Sequence, residues 1–175
     1  MTVTLTGPTL TTERLTLRLP QASDFETLAA FFETDRSKFV GGPERDRGKS
    51  WRIFGHIVGH WPLRGWGSFV IDLGDGKPAG MVGPWFPEGW PEREIGWSLW
   101  SQEHEGNGYI VEAMSAIYPY IWNDLGWDTA VSNIEPDNAA SIRTAERLGA
   151  TLDPNAEGPD ETDLVYRHKP GGYPK

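Results

Sequence analysis

Residues 94–114, EIGWSLWSQEHEGNGYIVEAM, admit few arrangements. Glu94 to Trp100 is rich in Ile, Leu and Trp and reads as a strand. Ser101 to Gly108 is a charged loop punctuated by glycine. Beyond it Ile110, Met114, Ile117, Tyr118 and Ile121 recur at three-to-four spacing, one apolar face of a helix. A strand must therefore pass through Gly106-Asn107-Gly108 into a helix. The first N–H groups of a helix have no partner within it, and the helix dipole adds partial positive charge there. Two glycines remove the side chains that would block approach. Such a turn can hold an anion, and a phosphate-bearing ligand is the first expectation.

The rest of the chain alternates strands and helices. Thr11 to Leu19 reads as one strand with Leu15, Leu17 and Leu19 on a face. Ser23 and Glu26 have the spacing of a capping box for a helix over Ser23 to Glu33. Residues 41–50 read as a polar loop, and a second helix is predicted over Lys49 to His60. Gly65 to Leu73 and Pro78 to Phe86 form a predicted hairpin around Asp75-Gly76. Pro119 should kink or break the helix of the opening stretch, which Gly126 ends. Trp127 to Ile134 is a further strand. Asp137 or Asn138 caps a helix ending at Leu148, with Gly149 past its end. Ala150 to Leu152 and Thr162 to His168 are the last strands, joined by a mobile acidic loop. This order predicts a mixed α/β (α+β) sheet in one domain over 1–175, with its core at about 10–168 and a loose tail at 169–175.

Composition narrows the function. A net charge of −9 makes nucleic acid and anionic membranes unlike partners and favours a cationic substrate such as an amine. There is no cysteine, which removes disulfides, thiolate metal sites and a Cys nucleophile. The start, MTVTLTGPTLTTERL, does not read as a signal peptide, and no apolar run approaches the roughly 20 residues that span a bilayer. A cytoplasmic protein is expected. Nine Trp are too many for a deep core alone, so some should line a pocket or a dimer contact.

Three familiar motif readings fail. Gly48-Lys49-Ser50 lacks the earlier glycine and strand of a P-loop and reads as solvated loop. Gly106-Asn107-Gly108 has Val111 where a dinucleotide fingerprint needs its third glycine. His56 and His60 have metal-ligand spacing without a third ligand, and are expected to face solvent or an interface; no metal is expected.

Asn133 to Ala150, NIEPDNAASIRTAERLGA, places Asn138 and Ser141 on a turn after a strand, close to where the neighbouring strand would present Trp97 and Ser98. Together the two stretches resemble the GNAT acetyltransferase superfamily, in particular its RimJ/RimL-like branch. The resemblance rests on Thr12-Glu13-Arg14-Leu15-Thr16-Leu17-Arg18, on Glu94-Ile95-Gly96-Trp97, on Gly106 to Ala113, and on the Asn138 to Gly149 run ending Glu146-Arg147-Leu148-Gly149. It spans about residues 10–168. Three positions depart from it: Glu103 lies where the phosphate loop often has Gln or Arg, Ala150 replaces Phe, and Ala145 replaces the Tyr that many members use as general acid.

The resemblance implies a GNAT-like fold and an acetyl-CoA-dependent N-acetyltransferase, with acetyl-CoA as co-substrate. Its pyrophosphate would lie on the backbone of Glu105, Gly106, Asn107, Gly108 and Tyr109. Pantetheine would run along Trp97, Ser98 and Leu99, with Asn138 and Ser141 at its thiol end. Acyl transfer to an amine needs a base for the ammonium and stabilisation of the carbonyl oxygen. Glu94 is the candidate base, with a raised pKa expected beside apolar strand; an exposed charge next to Arg93 is the alternative. Ser141 is the candidate donor to the leaving thiolate, or only a helix first-turn residue. Phe32, Trp66, Trp85 and Trp90 would wall the acceptor, a small-molecule amine or a protein N-terminus, in a monomer or homodimer. A non-catalytic acyl-CoA sensor and an interaction module on the same fold are the competing readings.

Overall fold

The computed structural model describes residues 5–172. The expected strand over Thr11 to Leu19 is divided. β1 (Leu10–Thr11) and β2 (Thr16–Arg18) pair antiparallel. Thr12 makes the break: its backbone N–H donates to Leu15 O at 2.9 Å while its Oγ1 accepts from Leu15 N at 3.1 Å. The first helix also starts differently. The capping box is Gln21 and Asp24, not Ser23 and Glu26. Asp24 is the better anchor because it is buried under a forked pair of 2.8 Å hydrogen bonds from Arg18. A 3₁₀ turn at Ala22–Asp24 leads into α1 (Phe25–Phe32).

A 3₁₀ run at Asp35–Val40, which the sequence pattern did not announce, precedes α2 (Arg47–Arg64). α2 is longer than predicted at both ends. Asp46 caps it, its Oδ1 accepting from Gly48 N and Lys49 N at 2.8 and 3.3 Å. Gly48-Lys49-Ser50 is thus a helix start whose N–H groups already hold a carboxylate, not a loop.

β3 (Phe69–Asp72), β4 (Pro78–Trp85) and β5 (Glu94–Leu99) continue an antiparallel meander. α3 (Tyr109–Pro119) follows. Pro119 does not break it; the coil widens into a π-helical turn at Tyr120–Asp124, closed by Leu125 N on Tyr120 O at 3.0 Å. The chain returns through β6 (Ala130–Ile134), α4 (Ala139–Arg147), β7 (Thr151–Leu152) and β8 (Leu164–His168). The eight strands form one sheet in the order β1-β2-β3-β4-β5-β6-β8-β7. Of its pairings, only β5–β6 is parallel. The mixed α/β fold expected from the element order is what the chain adopts.

Strand alternation splits the core into two layers. Leu17, Phe69, Ile71, Val82 and Ile95 face α3 and pack on Met114, Ile117 and Ile121. Val70, Met81 and Trp100 face the other way, onto Phe25, Leu28, Phe31 and Phe32 of α1 and Phe54 and Ile57 of α2. The parity of β5 follows: Ile95, Trp97 and Leu99 belong to the α3 layer, while Glu94 and Ser98 share the α1–α2 side with Trp100. The last residues of the expected loose tail, 173–175, lie outside the described residues.

Candidate active site

The site begins where the sheet opens. β5 and β6 pair only at Glu94↔Val131. One step on, Ser132 Oγ donates to Ile95 O at 2.6 Å. Further along, the partner of β5 is α4: Trp97 Nε1 donates to Ser141 Oγ at 3.3 Å. The fork is held by a buried polar chain. Ser132 donates to Ile95 O, so its Oγ accepts from His168 Nε2 at 2.9 Å, and His168 Nδ1 accepts from Tyr118 OH at 2.7 Å. Burial pushes His168 down to about 4, which keeps this imidazole neutral.

Hydrogen-bond direction alternates along β5. Trp100 N bonds Ala79 O on the β4 side, whereas Arg93 O and Ile95 O accept from β6 residues. The N–H and C=O of Trp97 and Leu99 therefore turn into the fork. Those of Ser98 turn to β4, opposite Met81, and its hydroxyl accepts from Trp100 Nε1 at 3.2 Å. The expected backbone contact from Ser98 is not on the open side of the strand. The Leu99 carbonyl is on that side and accepts from Arg36 Nη2 at 3.2 Å.

At one end of the fork lies the turn from Glu105 to Tyr109. Gly106 and Gly108 have φ of 74° and 77°, left-handed geometry that costs other residues about 1 kcal/mol or more. Asn107 laces the turn through Nδ2, donating to Glu103 O and Glu105 O at 3.0 and 3.1 Å. Arg14 Nη2 donates to Asn107 O at 3.0 Å, with its guanidinium 4.8 Å from the Tyr109 ring centre. The Glu112 carboxylate accepts from Thr12 Oγ1 at 2.6 Å and Arg14 Nε at 2.6 Å, tying α3 to the β1–β2 turn. The acidic residues of the loop are handled separately. Glu105 is paired with Arg36 at 2.7 Å, and the Glu103 side chain is 77% exposed. Arg36 Nε is buried and has no hydrogen-bond partner among the described residues.

At the other end is a cavity of about 620 Å³. Glu94, Trp97, Ser98, Asn138 and Ser141 line it, and so do Phe32, Trp85 and Trp90. Leu99 and Trp66 are not among its walls; Trp66 packs edge-on against Trp127, 5.0 Å between ring centres. Glu94 Oε2 accepts from Trp90 Nε1 at 2.6 Å and Asn133 Nδ2 at 3.1 Å, which leaves Oε1 without a side-chain partner among the described residues. Burial raises its pKa to about 7; the Trp90 and Asn133 hydrogen bonds pull the other way and the Asp163 charge adds to the rise. Arg93 makes no pair with Glu94 and sits over Trp127, 5.2 Å from the ring centre.

Asn138 caps α4, its Oδ1 accepting from Ser141 N at 3.1 Å. The Ser141 hydroxyl does not fold back on its own helix, as Thr144 does onto Ala140 O, and its proton is free to donate. Among the described residues no Tyr lines the cavity, and Ala145 is fully buried on the inner face of α4.

The expectation that both histidines face solvent or an interface holds for His56, which is exposed, and fails for His60. His60 is buried, donating from Nδ1 to His56 O at 3.1 Å and accepting from Phe86 N at Nε2, and it stacks on Trp85 at 4.1 Å. His56 lines the cavity against the same Trp85. Sequence reasoning missed Arg36, Asn133, Asp160 and Asp163. Only Arg14 stood inside a motif.

Comparison with known proteins agrees with this architecture. The Acetyltransferase (GNAT) domain model matches residues 14–151. The structure of an acetyltransferase from Agrobacterium tumefaciens C58 is 41% identical, covers 96% of this chain and 98% of its own, and superposes with a TM-score of 0.87. The Bacillus subtilis protein YkkB is 27% identical over 171 residues, 91% of this chain and 95% of its own. RimL, a ribosomal L7/L12 α-N-protein acetyltransferase in complex with coenzyme A, shares the fold at 16% identity and a TM-score of 0.68, over 90% of this chain and 94% of its own. The chain belongs to the GNAT acetyltransferase family.

Proposed function

We propose that the chain is an acetyl-CoA-dependent N-acetyltransferase that moves an acetyl group directly to a primary amine, as the RimJ/RimL-like branch does. The observation that carries this reading is the Glu94 carboxylate. One of its oxygens is held by two donors, the other has no side-chain partner, and its pKa is raised to about 7, where a base for an ammonium is needed.

The donor's phosphates would rest on the Glu105–Tyr109 turn, between Arg14 and Arg36. The pantetheine arm would follow the fork-facing groups of Trp97 and Leu99. RimL, of the same fold, is solved in complex with coenzyme A, which supports an acyl-CoA donor for this reading. The acceptor ammonium gives a proton to Glu94, directly or through a water. The freed nitrogen attacks the thioester carbonyl, and the Trp97 N–H stabilises the oxygen as charge grows. A C–N bond forms and the C–S bond breaks; the nitrogen's second proton goes to solvent or to Ser141 Oγ as that hydroxyl passes its own proton to the thiolate, so Ser141 ends neutral. The site residues, the amine class, the oligomeric state and a cytoplasmic setting all belong to this proposal. Among the described residues no helix is long and apolar enough to cross a membrane.

Ala145, fully buried where many members of the family have a Tyr, together with the lack of a Tyr among the described cavity walls, favours a second reading, a non-catalytic acyl-CoA sensor. One experiment separates them. With acetyl-CoA and a panel of primary amines, thiol release by the parent and its loss in Glu94→Gln support the enzyme. Saturable coenzyme A binding with no thiol release across the panel supports the sensor. No binding at millimolar acetyl-CoA sinks both.

A further inference from the structure

The walls of the cavity are unevenly charged. Glu94, Glu135, Asp160 and Asp163 all line it, and Lys38 is the single Lys or Arg that does. Lys38 makes no ion pair with any of them; its ammonium lies over the Phe39 ring, 4.3 Å from the centre, and its one positive charge leaves the four carboxylates in excess. None of the four carboxylates is in an ion pair with a described residue. Elsewhere the fold matches its carboxylates with care. Arg18 serves Asp24 and Asp72, Arg14 serves Glu112, and Arg167 serves Glu92 and Asp153.

Asp160 and Asp163 come from the connection between β7 and β8. Residues 153–163 hold five acids and no base. The segment is not a free loop. Arg167 Nε donates to Asp153 Oδ2 at 2.7 Å, Asp163 Oδ2 accepts from Asp160 N at 3.2 Å, and Asp163 N donates to Asp160 O at 3.1 Å. This closed turn sets two like charges against the cavity. Burial raises the Asp163 carboxyl, and the Asp160 charge raises it further although the Asp160 N–H bond opposes. Asp163 in turn raises Glu94. Like charges that face one space without an internal counter-ion are relieved by a cation entering it. The other walls suit such a guest: Trp85, Trp90 and Trp97 are among them, and indoles attract organic cations.

We infer that the acceptor is a small dication of the diamine class, one nitrogen reacting beside Glu94 while the second, still protonated, rests against Asp160 and Asp163. The inference depends on the acetyl-transfer reading above and adds the charge of the far end of the acceptor. The space of about 620 Å³ is ample for an aliphatic diamine.

Three matched series test it: α,ω-diamines, n-alkylamines and ω-amino acids, each of three to six carbons. They present a positive, neutral or negative far end on the same chain. At low ionic strength diamines should exceed alkylamines by about tenfold in kcat/KM, and ω-amino acids should be poorest. The advantage should shrink as salt is added. Asp160→Asn with Asp163→Asn should bring the series together without changing KM for acetyl-CoA. Because Asp163 also closes its turn, Asp160→Asn alone is the second variant; it should narrow the gap by about half in logarithmic terms. Equal turnover of the three series by the parent, or preference for the ω-amino acids, overturns the diamine inference and leaves acetyl transfer standing. No acetylation of any member by protein that binds acetyl-CoA overturns the acetyl-transfer reading and the inference with it.

Discussion

The two ends of the fork are built in opposite ways. The donor end is backbone: consecutive residues Glu105 to Tyr109, two left-handed glycines and the start of α3, braced by Arg14 and Arg36. The acceptor end is side chain. Its walls come from α1, the 3₁₀ run, α2, β4, the β4–β5 loop, β5, β6, the start of α4 and the β7–β8 connection. On the proposed assignment, the donor end would meet anions with N–H groups and two guanidinium groups, and the acceptor end would meet its ligand with indoles and carboxylates that lack an ion-pair partner among the described residues. Backbone recognition tolerates change in most side chains but not in the glycines. Side-chain recognition lets the acceptor change with a few substitutions. Variants at the two ends should therefore fail differently.

The largest effect is expected at Glu94. Glu94→Gln keeps the acceptors for Trp90 and Asn133 but removes the base, and kcat should fall about 100-fold or more with KM for acetyl-CoA unchanged. In the parent, kcat/KM should rise with pH through about 7, because the carboxylate must be ionised to act. Stability runs the other way. A carboxyl raised from 4.5 to about 7 on folding weakens the fold above 7, progressively less between 7 and 4.5, and not below. Glu94→Gln should melt higher than the parent at pH 8, by about 2 kcal/mol, and match it at pH 4.5. Melting equally at both pH values would mean that Glu94 is solvated and unfit as the base.

At the donor end the matching change is Gly108→Val. A β-branched residue at φ 77° is strained by about 1–2 kcal/mol and puts bulk toward Arg14 where phosphate would lie. Acetyl-CoA affinity by calorimetry should fall more than tenfold, while diamine selectivity at saturating donor stays as in the parent. Loss of selectivity together with affinity would show that the two ends are not separable.

The contrast also sets how far the sequence could be read. β5, the turn and α3 are contiguous, so period, glycine spacing and helix start all lie in one window, and their arrangement was legible. So was the N-cap of α4 to within one residue: of Asp137 and Asn138, the structure uses Asn138, whose side chain acts on its own helix. Glu94 stood out as a carboxylate on an apolar strand, yet its pKa depends on Trp90, Asn133 and Asp163, which no local pattern links to it. Arg36 lies in a 3₁₀ run without periodicity and reaches Glu105, 69 residues away. Trp66 and Trp85 looked alike as aromatic wall candidates; sheet parity and packing sent one to Trp127 and the other to the cavity. Helix limits moved wherever a carboxylate chose its own amides, as at Asp24 and Asp46.

A smaller effect should separate charge from shape at the donor turn. Arg36→Ala leaves Glu105 unpaired beside the expected phosphates, and acetyl-CoA should bind about fivefold more weakly, with a steeper loss at low salt. Adding Glu105→Gln should restore most of the loss, since the repelling charge is gone. If the double variant stays as weak as the single, Arg36 acts through the Leu99 carbonyl instead and holds the strand, not the charge balance.

The finest test returns to the acceptor end and moves a pKa without touching the base. Trp90 Nε1 lies 2.6 Å from Glu94 Oε2 and stabilises the carboxylate against the larger pull of burial. Trp90→Phe keeps an aromatic wall and deletes that donor. The Glu94 carboxyl should then titrate higher, by about half a pH unit to one unit, and the kcat/KM profile should shift to higher pH by the same amount. Activity at pH 9, where the carboxylate is ionised in either protein, should change little. An unshifted profile with lower activity at every pH would assign Trp90 to the acceptor wall alone. A shift to lower pH would mean that removing the indole let water in, so that burial, and not the lost hydrogen bond, decides the charge on Glu94.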